Sequence, residues 1–166
     1  MQYTAATGAL KIKEAKERVL LAVVPAATVA FQLIEFGVSF NGTSPSIEPC
    51  RIDLFKSNRA TNFTIGTKNT AVTLKQVRGG GNTGKQSEAI VASLEAGEGF
   101  SESEPPTALE VLKTWFVSPT SGLVYQAPLG RESEGPPSTT FALGIRVFAA
   151  KEVEARTYME VVQGPS

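Results

Sequence analysis

The chain has 166 residues, one cysteine, no histidine, and equal numbers of acidic and basic residues. This length suits a single domain, and the balanced charge argues against nucleic acid or an anionic membrane as a partner. Histidine is absent and Asp53 is the only aspartate, which excludes Ser-His-Asp, Cys-His and zinc chemistry. We therefore predict a protein that is not an enzyme and has no catalytic, cofactor-binding or metal-binding residues.

The beginning of the chain differs in pattern from the rest. Residues 1–18 are expected to form an N-terminal arm or a first strand, ahead of a main domain over residues 19–163. Apolar residues that alternate with lysines predict a short strand at residues 10–12, although residues 11–21 could instead form a short helix. Residues 19–24 are the next expected strand, because they form an apolar run that stops at a proline.

The strongest strand signal covers residues 29–40. Its apolar residues occupy odd positions up to Leu33 and even positions from Ile34 onward. A period of two that shifts by one residue predicts a β-bulge at this point. The sequence Asn41-Gly42 then predicts a turn that ends the strand, which we prefer to reading it as part of a glycosylation acceptor.

Two further strands are expected in the middle of the chain. Residues 47–55 place Cys50, Ile52 and Leu54 on one face, and residues 71–77 give a shorter and weaker signal. We expect Cys50 to be a small buried side chain, since no histidine is present to activate its thiol.

A glycine-rich segment follows that nearly matches a phosphate-binding loop. Residues 79–86 read GGGNTGKQ, but Gln86 stands where a Ser or Thr hydroxyl would hold Mg²⁺, and no aspartate follows. We interpret residues 78–87 as a basic glycine loop. Residues 89–94 could be a strand or a helical turn, and residues 97–107 are expected to form an acidic loop.

The last third of the chain reads as strands separated by turns. Residues 109–117 carry an apolar phase that includes Trp115, the only tryptophan, which we expect in the core. A turn leads into residues 123–128, and the final strands are expected over residues 141–147 and 153–161.

These elements add up to about eight strands with no convincing long helix. Parallel sheets need crossover helices, so the sheets are expected to be antiparallel. The predicted fold is therefore an all-β, antiparallel, two-sheet jelly-roll sandwich with an N-terminal arm.

Three short segments carry a resemblance to a known family. Residues 36–43 (FGVSFNGT), 125–132 (YQAPLGRE) and 142–147 (ALGIRV) are similar to small jelly-roll proteins encoded by tailed bacteriophages. Those are head decoration, or cement, proteins that sit on the outside of a capsid, commonly as trimers. The resemblance covers roughly residues 19–162 and brings no catalytic residues with it.

The resemblance implies a virion structural protein on the outer surface of the capsid. Its expected partners are the major capsid protein and other copies of itself in a homotrimer, with no nucleic acid and no membrane. Within the trimer we expect Tyr3, Leu10 and Ile12 of the arm to reach a neighbouring subunit. Contacts between copies are also expected to match basic residues with acidic ones, namely Lys75, Arg78 and Lys85 with Glu98, Glu102 and Glu104.

The sequence also allows a different function. The chain could be a carbohydrate- or receptor-binding jelly-roll module of a phage fibre or tail, or of a bacterial surface. Sugar sites favour exposed aromatic rings beside carboxylates or amides, and the expected burial of Trp115 argues against this alternative.

Overall fold

The computed structural model describes residues 2–25, 30–41, 48–58, 63–78, 94–136 and 141–163, and all regular elements within these ranges are β-strands. The strands are β1 (Gln2–Ala6), β2 (Leu10–Ile12), β3 (Lys16–Val24), β4 (Phe31–Asn41), β5 (Cys50–Ser57), β6 (Thr70–Val72), β7 (Lys75–Arg78), β8 (Glu95–Glu98), β9 (Glu110–Val117), β10 (Leu123–Gln126), β11 (Glu134–Gly135), β12 (Ala142–Ala149) and β13 (Val153–Gln163). The prediction of an all-β fold is confirmed.

The strands form two antiparallel sheets, as expected. Sheet A has the order β10-β4-β13-β1-β7, with β11 also paired to β4 and β2 also paired to β13. Sheet B has the order β6-β8-β3-β12-β5-β9. Side chains from the facing sides of the two sheets form one large apolar cluster, which places the core between them.

The pairing of strands follows a nested order along the chain. The N-terminal strands β1 and β2 pair with the last strand β13, β3 pairs with β12, β4 with β10 and β11, β5 with β9, and β6 with β8. Gln2 faces Val162 in the outermost pair, and Thr70 faces Glu98 in the innermost. The midpoint in sequence of every such pair falls within residues 79–93. The described strands therefore pair in a nested, antiparallel order, with the two partners of each such pair on opposite sides of residues 79–93 in sequence.

The β-bulge predicted from the apolar phase shift is confirmed. Glu35 of β4 faces Glu160 of β13, but Leu33 faces Val161, so that Ile34 is the extra residue. The bulge lets both halves of β4 direct apolar side chains to the core despite the change of phase, because one inserted residue reverses the alternation.

The predicted core positions of β5 are also confirmed. Cys50, Ile52 and Leu54 are buried and belong to the cluster between the sheets. The side of β5 that points away from the core is also covered over part of its length. There Phe55 stacks on Phe63 on the outer face of sheet B.

The N-terminal segment lies within the sheet of its own chain. β1 fits between β13 and β7, and Tyr3, Ala5 and Ile12 are all at most 1% exposed in the core. The expectation that Tyr3 and Ile12 reach a neighbouring subunit is therefore wrong. Their apolar surface is already removed from water inside the chain, and the helical alternative for residues 11–21 is replaced by parts of β2 and β3.

Several boundaries differ from those expected. Residues 71–77 contribute to two strands, β6 in sheet B and β7 in sheet A, because the chain crosses between the sheets at Leu74. The first two residues of the expected acidic loop, 97 and 98, are the end of strand β8, whose short sequence EAGE carries almost no apolar alternation. Backbone pairing with β3 and β6 holds it in the sheet. The glycine-rich segment and residues 89–93 lie outside the described residues.

Candidate contact surface

One side of the sandwich is closed by β9 and β10, the outermost strands of sheets B and A. Trp115 and Tyr125 meet across the gap between the sheets with ring centroids 5.1 Å apart. Both rings also contact Phe36, at 5.5 Å in each case. Trp115 is therefore partly buried and packs against the core, close to the core position that the sequence predicted.

The edge of β9 has two features that oppose the addition of another strand. The register shifts so that Lys113 faces Leu54 and Val111 faces Phe55, which leaves Leu112 as a bulge. Lys113 projects on the inner face, and its Nζ donates a hydrogen bond of 2.6 Å to the Tyr125 hydroxyl. Bulges and lysines at sheet edges block pairing with other chains. A partner on this side would make contact through side chains instead.

Large apolar side chains are exposed along this side. They are Val111, Leu112 and Phe116 on β9, Val124 on β10, and Leu129 in the turn that follows. Phe116 is 70% exposed, Val124 65% and Leu129 97%. Among the described residues, Val77 is the only other large apolar side chain that is exposed. Val111 and Phe116 lie on the outer face of sheet B, whereas Val124 faces Gly37 on the outer face of sheet A. Exposed apolar side chains of this kind are typical of contact surfaces.

A row of aromatic and charged residues crosses the outer face of sheet B next to this edge. Phe116 faces Arg51, which in turn faces Phe148, and Phe148 faces Glu17. We call these four residues the aromatic row. The Arg51 guanidinium lies 5.3 Å from the centroid of the Phe148 ring, and its Nη2 donates to Glu17 Oε2 at 2.5 Å. Phenylalanine and arginine are enriched in protein interfaces, so the composition favours a protein partner.

Asp53 lies beside the aromatic row, two residues from Arg51 on the same face of β5. Its side chain is 2% exposed and accepts hydrogen bonds from Arg51 Nε at 3.2 Å, Arg146 Nη2 at 2.9 Å and Thr114 Oγ1 at 2.8 Å. Arg146 also reaches Glu17 through Nη1 at 3.6 Å. The only aspartate of the chain therefore holds two arginines in position and has its oxygens engaged by cations and a hydroxyl.

Cys50 offers no nucleophile. It is buried within the core, and burial raises the pKa of its thiol, because the thiolate loses its hydration there. The expectation of a buried, unreactive cysteine is consistent with this placement.

The acidic residues expected to pair with another copy are engaged within the chain. Glu98 accepts a hydrogen bond from the backbone N–H of Gly8 at 3.1 Å, and Glu104 forms an ion pair with Lys68. Glu102 accepts from the backbone N–H of Lys13 at 3.3 Å. Glu98 and Glu102 thus contact the N-terminal segment, whereas Glu104 contacts Lys68. The expected match between copies stays a prediction.

Other site types find little support in the described residues. Within these ranges, no three His, Cys, Asp or Glu side chains are placed to hold a metal ion. The described residues also contain no helix that could span a membrane. The near-match to a phosphate-binding loop at residues 79–86 lies outside them.

Sequence reasoning did not find the aromatic row. The available signal was the placement of Arg51, Asp53 and Arg146 at alternate positions of two otherwise apolar strands. That pattern indicates an outer face, but it does not reveal that β5 and β12 are neighbours or that Phe116 completes the row.

The described chain is thus an antiparallel β-sandwich with an apolar side and an aromatic row beside it. No family model matches the sequence, and neither a curated protein nor a solved structure matches it.

Proposed function

We propose that this protein is a capsid decoration, or cement, protein of a tailed bacteriophage. In this proposal it binds the major capsid protein on the outer surface of the head, associates with other copies as a homotrimer, and stabilises the particle. It performs no catalysis and needs no cofactor. The observation that carries the proposal is the aromatic row beside an exposed apolar edge, since both features serve contact with other proteins.

The nested pairing of strands supports a jelly-roll topology for the sandwich. A jelly roll arises when a long antiparallel hairpin is rolled so that its strands alternate between two sheets. The pairs β3–β12, β4–β10 and β5–β9 follow that scheme. The pair β6–β8 departs from it, because it extends sheet B beside β3 instead of extending sheet A. We therefore propose a jelly-roll core with two added N-terminal strands, β1 and β2, that pair with successive parts of β13.

A trimer requires two different surfaces on each copy, because neighbours in a ring of three meet head to tail. We assign the exposed residue Leu129 to contacts between copies. The aromatic row is assigned to the capsid, because Asp53 fixes its arginine side chain before binding and so reduces the entropy lost on contact.

The proposal is tested by imaging purified particles and by a binding assay on heads that lack the protein. Phe116→Ser should weaken attachment to such heads at least tenfold, since it removes the most exposed aromatic ring of the row. Val77→Ser is the matched control, because Val77 is 53% exposed on β7, at the opposite edge of sheet A.

Two results would contradict the proposal. One is that imaging places the protein in a tail or fibre, as the receptor-binding alternative requires. The other is that Phe116→Ser coats heads as fully as the native chain while Val77→Ser does not.

A further inference from the structure

The outer face of sheet A carries a second surface, on the opposite side of the molecule from the aromatic row. Tyr158 of β13 projects from this face and is half-buried. It faces Gly37 on β4 and Ala6 on β1, two of the smallest residues. A Cβ at Gly37 would lie 2.3 Å from Tyr158 Cε1, so the ring covers this glycine. The ring is thus held against the sheet.

A depression of about 300 Å³ adjoins the ring. Val124 borders it on one side, and Ser39 and Arg156, which face each other, lie on another. Arg156 is exposed and makes no ion pair with any residue that the structure describes. Its guanidinium is therefore free to donate to a ligand.

Carboxylates and amides lie on the other side of the ring. Glu35 and Glu160 face each other two residues along from Gly37 and Tyr158. Gln126 Nε2 donates to Glu35 Oε1 at 3.0 Å, and Gln2 Nε2 donates to Glu160 Oε2 at 3.1 Å. Burial and these two negative charges raise the pKa of Tyr158.

We propose that the Tyr158 face of sheet A binds a neutral saccharide. A sugar ring has an apolar C–H face that packs on an aromatic ring, and a rim of hydroxyls that both donate and accept hydrogen bonds. Tyr158 supplies the ring, Arg156 donates, and the carboxylates of Glu35 and Glu160 accept. This mixture of one aromatic platform with a few polar groups is typical of small-molecule sites.

The charge of the surface favours a neutral sugar over an acidic one. Among the described residues, Glu35 and Glu160 lie beside the ring, and Arg156 is the one cation that lines the depression. The two negative charges outnumber this cation, so a ligand that covers the ring and carries its own carboxylate meets net repulsion. This activity is independent of capsid decoration, because it uses the opposite sheet.

The test is affinity electrophoresis of the full chain in native gels that contain dextran, galactomannan, hydroxyethyl cellulose or polygalacturonate. We expect at least one of the three neutral polymers to retard the protein. Tyr158→Ala should weaken binding about tenfold or more, and Arg156→Ala several-fold. Tyr158→Phe keeps the ring and is the matched control, and it should bind nearly as well as the native chain. Thermal melts of each variant check that the fold is retained, and Arg156→Ala should melt as the native chain does, because that side chain is exposed.

The proposal is overturned if none of the three neutral polymers retards the native chain, or if polygalacturonate alone does. It is also overturned if folded Tyr158→Ala and Arg156→Ala are retarded as strongly as the native protein. None of these outcomes bears on attachment to capsids, which Phe116 and the aromatic row test separately.

Discussion

Asp53 is the residue whose replacement should have the largest electrostatic consequence. It is nearly fully buried and joins Arg51, Arg146 and Thr114. We predict that Asp53→Ala lowers the free energy of unfolding by about 2–3 kcal/mol, because it leaves two arginines without their shared acceptor. Chemical denaturation measures the change.

Asp53→Asn is the informative companion variant, since it keeps the shape of the side chain and removes its charge. It should fall between the native chain and Asp53→Ala. Equal stability of all three proteins would show that the arginines find other partners, such as Glu17, at no cost.

Gly144 occupies a position where no larger residue fits. A Cβ there would lie 2.6 Å from the backbone oxygen of Leu21 and 2.6 Å from Phe55 Cζ. A backbone atom in a sheet cannot move aside easily, so Gly144→Ala should destabilise the fold by about 1–3 kcal/mol. Gly8→Ala is the control, because a Cβ at Gly8 meets no atom within 4 Å and should change stability by about 0.5 kcal/mol or less. Thermal or urea unfolding measures the stability of the two variants. Equal unfolding midpoints would contradict the prediction.

Cys50 predicts a dependence of stability on alkaline pH. Burial raises the pKa of its thiol above the ordinary value of 9.0, so the folded state favours the protonated form. This contribution is fully present below pH 9.0 and is lost as the pH rises through the higher pKa of the folded protein. Cys50→Ala should therefore reduce the decline of unfolding free energy between neutral and strongly alkaline pH. The prediction fails if the native chain and the variant decline in parallel, or if a disulfide reagent labels native Cys50 as fast as a free thiol.

At the scale of elements, β1 and β2 are integral parts of sheet A. Tyr3 and Ile12 are buried, and β1 pairs with both β13 and β7. Deleting residues 2–12 should therefore prevent stable folding instead of only weakening contacts between copies. Circular dichroism and a thermal melt of the truncated chain provide the measurement.

A single substitution tests the contribution of β1 to stability without removing its backbone pairing. Tyr3→Ala should cost about 3–5 kcal/mol, because it empties a large core position. Gln2→Ala is the control on the same strand and should cost about 1 kcal/mol or less, since Gln2 contributes one partly buried hydrogen bond to Glu160. A truncated chain that melts like the full one would show that sheet A closes without β1.

At the scale of the whole molecule, the nested pairing predicts slow folding. Gln2 pairs with Val162, so closing the outermost strands requires the two ends of the chain to meet. Contacts between residues distant in sequence carry a large entropic cost before they stabilise the fold, and β-sandwiches fold in milliseconds to seconds. Trp115, packed against Phe36 and Tyr125, allows the rate to be followed by stopped-flow fluorescence. Refolding complete within about a hundred microseconds would contradict this prediction.

The sequence by itself determined the fold class and much of the core. Alternation along β4, β5 and β12 is a local property of the backbone, since neighbouring side chains point to opposite faces. That is why the bulge at Ile34 and the burial of Cys50 could be predicted without knowing which strands are neighbours. β1 and β8 were harder to predict from sequence, because they carry little alternation of their own. They are strands because neighbouring strands pair with them.

Only the tertiary structure decided which residues meet on the outer faces. Phe116 and Phe148 are 32 positions apart in sequence, and they share a row because β5 lies between β9 and β12. Tyr158 covers Gly37 through the pairing of β13 with β4. Strand order depends on how the whole chain rolls up, which the pattern of any one segment does not encode. Both candidate surfaces therefore emerged from strand pairing between distant parts of the chain.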